Sequence, residues 1–86
     1  MTPISQQTVD EAFASGLTSN VRVIRRLDKC WIFSFQFCGP GEKPQEFTLK
    51  TQRGKVRAWS DPRTLFAFLD ERYGVRDGDF VLSEDI

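Results

Sequence analysis

The chain has 86 residues, of which 40% are hydrophobic and 28% charged, a composition of ordinary globular protein with room for a single core over residues 1–86. Twelve basic and twelve acidic side chains cancel to a formal net charge of zero, and histidine is absent. That absence removes the commonest general base, the commonest neutral metal ligand and the usual switch near neutral pH.

The first residues, Met1 to Thr8, have neither the basic region nor the apolar core of a secretory signal. The longest apolar-rich stretch, Cys30 to Cys38, is broken by Ser34 and Gln36 and falls well short of a membrane span. A cytoplasmic location is the expectation. Thr8 followed by Glu11 fits a capping box and predicts a first helix through Val9, Ala12, Phe13 and Leu17 that stops at Gly16, with Ser5 as an alternative start.

From residue 21 the hydrophobic period changes to alternation. Val21 to Leu27, Trp31 to Cys38, Glu46 to Gln52 and Lys55 to Ser60 each read as a strand. In the clearest of them Trp31, Phe33, Phe35 and Phe37 share one face, and Ile32, Ser34 and Gln36 the other. Cys30 and Cys38 lie at opposite ends of this strand, about 26 Å apart at a rise of ~3.3 Å per residue, too far for a disulfide between them. Two thiols without histidine also cannot complete a four-ligand zinc site. The run from Gly39 to Pro44 is a loop.

Asp61 as N-cap and Pro62 in the first turn predict a second helix, with Leu65, Phe66, Phe68, Leu69 and Tyr73 on its apolar stripe and Gly74 as its stop. Asp77-Gly78-Asp79 lacks the ligand series of a calcium loop and reads as a turn. Phe80 to Leu82 reads as a short final strand before an acidic end at Glu84 and Asp85. The expected fold is α+β, a four-stranded antiparallel meander with two helices packed on one face in the order α-β-β-β-β-α, closed by that short strand.

Hairpin registers decide which side chains face outward. A two-residue loop at Arg53-Gly54 sets Lys50 opposite Arg57 and Thr48 opposite Trp59. A three-residue loop from Asp28 to Cys30 keeps Val21, Val23 and Leu27 with the aromatic face and leaves Arg25 as an inward misfit. The outer face then collects Arg22, Arg26, Lys50, Arg53, Lys55, Arg57 and Trp59, with Ile24 and Ile32 among them. Charge is segregated along the chain, since residues 20–63 hold ten basic and four acidic side chains while residues 64–86 hold two basic and six acidic. Basic side chains on an open sheet also protect it from aggregation, so this face has a purely structural reading as well as a functional one.

No glycine-rich phosphate loop, nucleophile elbow or metal-ligand spacing is present in the sequence, which reads as non-enzymatic and without a cofactor. Residues 47–69 carry the pattern K-T-x-R-G-x-x-R at Lys50, Thr51, Arg53, Gly54 and Arg57, followed by a leucine-bearing helix, Gly74 and Phe80-Val81-Leu82. This C-terminal half resembles small plasmid-borne accessory proteins of the partition-associated type. The resemblance implies a mobile-element accessory protein without catalysis. Two functions are then expected: binding of an acidic protein surface through the basic sheet face, for instance to inhibit a host defence complex, or nucleic-acid binding in partition or regulation. An aromatic among arginines suits either, while zero net charge counts against duplex binding. The acidic C-terminal segment could also cover the basic face of the same or a neighbouring chain and so build a homodimer.

Overall fold

The computed structural model describes residues 1–84. It is α+β, with two helices and a five-stranded mixed sheet. Along the chain run β1 (Thr2–Ile4), α1 (Gln6–Ala14), β2 (Thr18–Arg26), β3 (Trp31–Phe37), β4 (Gln45–Leu49), α2 (Pro62–Tyr73) and β5 (Asp79–Glu84). Across the sheet the order is β1-β4-β3-β2-β5, with β1 parallel to β4 and β5 parallel to β2. The strand β3 pairs antiparallel with both β2 and β4, so it alone runs against the other four.

The expected meander is therefore only its middle. The N-terminal strand was not legible, because Thr2-Pro3-Ile4 is too short to show alternation. The predicted strand at 55–60 is reduced to two isolated bridges, Lys50 to Val56 and Trp31 to Trp59. The final strand exists, but α2 carries the chain across the sheet so that β5 lands beside β2. Gly78 permits that approach: a Cβ there would meet the Val21 carbonyl oxygen at 2.6 Å. Asp85, part of the expected acidic end, lies outside the described residues, and with it the idea that this end covers the basic face.

Local chemistry explains both helices. Ser5, not Thr8, caps α1 by accepting from the Thr8 amide, and the helix buries Val9 and Ala12. In α2, Asp61 accepts from the Arg63 amide at 2.9 Å and Gly74 ends the helix in the left-handed region at φ 68°. Leu65 and Leu69 are buried, whereas Phe66 is 39% exposed and leaves the expected stripe.

The helices cover the aromatic face of the sheet. Phe33 and Phe35 are fully buried there with Val23, Leu49 and Trp59. Phe13 of α1 meets Phe35 at 4.9 Å between ring centroids, and Phe68 of α2 meets Trp59 at 5.2 Å. The β2–β3 turn is Leu27-Asp28-Lys29, with Arg26 and Cys30 bonded across it, one residue earlier than expected. Val23 consequently pairs with Phe33 and Arg25 with Trp31, a slip of two that preserves the faces. Leu27 moves to the turn and is 65% exposed.

The open face is not uniformly polar. Ile24 pairs directly with Ile32 on one side and Val81 on the other, and both isoleucines have no solvent exposure. The Trp31–Trp59 bridge brings Ala58 next in this row. An apolar strip thus crosses the sheet on the side away from the helices.

Candidate functional site

The registers separate the seven residues expected on one face. In the 50–56 hairpin the Thr51 amide donates to the Lys55 carbonyl and the Gly54 amide to the Thr51 carbonyl, so the loop is Gln52-Arg53-Gly54. Gly54 takes the left-handed conformation at φ 84° that closes three-residue loops. This loop is one residue longer than Arg53-Gly54 alone. The slip reverses every side chain that follows. Lys50 lies opposite Val56, not Arg57, and the direct opposition of like charges disappears. Trp59 turns inward, is 6% exposed and packs on Phe33 and Phe68, so it is a core residue and no part of an outer basic face.

Arg22 and Arg26 do lie on the open face, flanking Ile24 along β2, but both are engaged. The Arg22 guanidinium donates to Glu46 Oε2 at 2.9 Å, and the same oxygen accepts from the buried Ser34 hydroxyl at 2.8 Å. Arg26 pairs bidentately with Asp28 across the turn. Their side chains are only 31% and 22% exposed, as expected of arginines lying along the sheet rather than reaching into water. The isoleucines between them are likewise unavailable to a partner.

The remaining four cations border a cleft at the hairpin end of the sheet, with Lys50 and Arg57 on opposite faces of the hairpin. Lys50, Arg53, Lys55 and Arg57 line an open cleft of about 990 Å³ between the hairpin and the start of α1. Ser5, Gln6 and Gln7 form its opposite wall, and no carboxylate is among its lining residues in the described part of the chain. None of the four cations has an ion pair among the described residues. Arg57 is held by the Trp59 ring, with its guanidinium carbon 4.9 Å from the ring centroid. The contribution of α1 escaped the sequence reading, although Ser5 as helix cap was its one available signal.

Comparison of the chain with protein-family models, with curated proteins and with solved structures finds no match.

A second polar cluster joins the helices. Arg72 donates to both Asp10 oxygens at 3.0 and 2.8 Å, and the Tyr73 hydroxyl donates to Oδ1 at 2.6 Å. The Arg72 guanidinium, helped by Tyr73 and Gln6, lowers the Asp10 carboxyl to about 2. Burial, with the Asp10 charge beside it, pushes the Tyr73 phenol up to about 12. Three of the hydrogen bonds that Asp10 accepts come from Arg72 and Tyr73 of α2 and tie the two helices together, and a fourth comes from Gln6 within α1. Because Asp10 is more acidic folded than at its ordinary 3.8, its stabilisation is full above that value and lost as pH falls toward about 2. Thermal melts between pH 6 and pH 2 (roughly the range in which carboxylates titrate) should show a shallower acid limb for Asp10→Asn, which should also melt lower at neutral pH. Parallel curves for the two proteins would rule out the linkage.

No group of three or more cysteine, aspartate or glutamate side chains that could hold a metal ion occurs among the described residues. Cys30 and Cys38 are both free and half-buried. Among the described residues, neither helix is long and apolar enough to cross a membrane.

Proposed function

We propose that this chain is a non-enzymatic binding module that engages an acidic protein surface through the cleft between the 50–57 hairpin and the start of α1. The observation that carries this reading is that Lys50, Arg53, Lys55 and Arg57 all line one concavity, with no carboxylate among its described lining residues. Cations gathered without counter-charges repel one another, and an anionic partner relieves that repulsion while steering the encounter. The binding surface is thus the hairpin end of the sheet and not its broad open face. Zero net charge favours a protein over duplex nucleic acid, which calls for a general basic excess. Such a surface suits a protein that works by occupancy, such as an inhibitor of a host complex, in keeping with the resemblance of the hairpin to mobile-element accessory proteins.

The test is the double reversal Arg53→Glu with Lys55→Glu. Both side chains are exposed, so stability should change by no more than about 0.5 kcal/mol per site. Fluorescence anisotropy against a polyglutamate peptide should show binding that weakens with salt and falls at least about tenfold in the variant. Equal affinity of the two proteins would refute the cleft. Stronger, salt-steep binding to a DNA oligonucleotide than to the peptide would transfer the site to the nucleic-acid reading.

A further inference from the structure

We propose that the outer edge of β5 is the place where a second copy of this chain adds to the sheet, forming a two-fold dimer with one continuous ten-stranded sheet. As the last strand in the order, β5 has only β2 as a neighbour among the described residues, which leaves one row of its backbone groups unpaired there. The two sheet edges differ in kind. At the other end β1 has three residues and includes Pro3, which has no amide hydrogen to offer. The β5 edge has six residues and no proline, so each can offer an amide hydrogen, and its register irregularity lies beyond Leu82.

Its apolar side chains are also uncovered. Phe80 and Leu82 are 64% and 60% exposed. The register of Phe80 with Val23 places both on the helix side of the sheet. Phe66 of α2 meets Phe80 edge to face at 5.8 Å and is itself 39% exposed. Behind them an open, mainly apolar cavity of about 580 Å³ separates α2 from the sheet margin, lined by Val23, Phe66, Leu69 and Phe80 and also by Arg76 and Asp77. The core stops short of this edge.

A second copy fits because β5 is self-complementary in one antiparallel register. A two-fold axis through Val81 sets Phe80 of each copy across Leu82 of the other, joining the exposed apolar residues on one face. Residues across an antiparallel pair share a face, so the axis passes through a residue; placed on Phe80 it would set Asp79 across Val81 and leave Leu82 across Gly78. The apolar pattern thus prefers the axis through Val81, which pairs Phe80 with Leu82 on both sides.

Analytical ultracentrifugation of the full chain should give a concentration-dependent monomer–dimer equilibrium. Phe80→Lys combined with Leu82→Lys opposes like charges at the axis and should yield a folded monomer with unchanged far-ultraviolet circular dichroism. As a second probe, Val81→Cys with Cys30→Ser and Cys38→Ser should oxidise to a covalent dimer. Cα atoms paired across antiparallel strands lie about 4.5–5.5 Å apart, within disulfide reach. Thr2→Cys in the same background should stay monomeric on oxidation. A wild-type protein that is monomeric up to about 1 mM, a lysine variant that still dimerises, or a Val81→Cys protein that does not cross-link would overturn the proposal. Arg53→Glu with Lys55→Glu should leave the dimer intact, so the edge and the cleft fail independently.

Discussion

Phe35→Ala should cost roughly 3–5 kcal/mol in urea unfolding, the range for deleting a buried aromatic side chain. Phe35 has no solvent exposure, and its ring meets Phe13 of α1 at 4.9 Å, Phe47 of β4 at 6.1 Å and Phe33 of its own strand at 6.4 Å. The neighbouring rings on β3 and β4 are fixed by paired backbone, so they cannot close over the space left by a missing phenyl group. Phe13 also stacks on Tyr73 at 4.3 Å, and the loss should therefore loosen the contact between the two helices. A change below about 1 kcal/mol would mean that the faces of β3 are inverted.

Ile32→Ala should also be severe, at about 2–5 kcal/mol, although the residue lies on the side of the sheet without helices. On a solvent-exposed face the same substitution would stay within about 0.5 kcal/mol, so equilibrium unfolding separates the two situations cleanly. Ile32 and its direct partner Ile24 are both fully buried. Removing both should cost less or more than the sum of the single changes, because neighbours sharing one cavity are not additive. Near-zero cost for each would return the isoleucines to an exposed basic face and reopen that face as a docking surface.

The cations expected on one surface fall on two, the open face and the hairpin cleft. Arg22 and Arg26 are tied to Glu46 and Asp28 beside a buried apolar strip. Lys50, Arg53 and Lys55 stand at the end of the sheet, where no ion pair holds them among the described residues. Arg57 belongs with them but also covers the Trp59 ring. Reversing its charge would mix a binding effect with a packing effect, which is why Arg53 and Lys55 are the informative pair.

Period and capping were sufficient to place α2, β2, β3 and the inward face of Phe33 and Phe35, because these depend on spacing within a few residues of chain. The Asp61–Pro62 start and the Gly74 stop are local chemistry and were legible for the same reason. Pairing across the sheet was not. The parallel partners of β1 and β5 follow from where each helix returns the chain, a long-range matter that no local pattern carries. The face of Trp59 turned on a single loop residue, since a period of two converts a slip of one into complete reversal. Composition showed that cations were concentrated between residues 20 and 63. Only folding decided which of them found carboxylates and which were left together, because that depends on distances between strands and not on order along the chain.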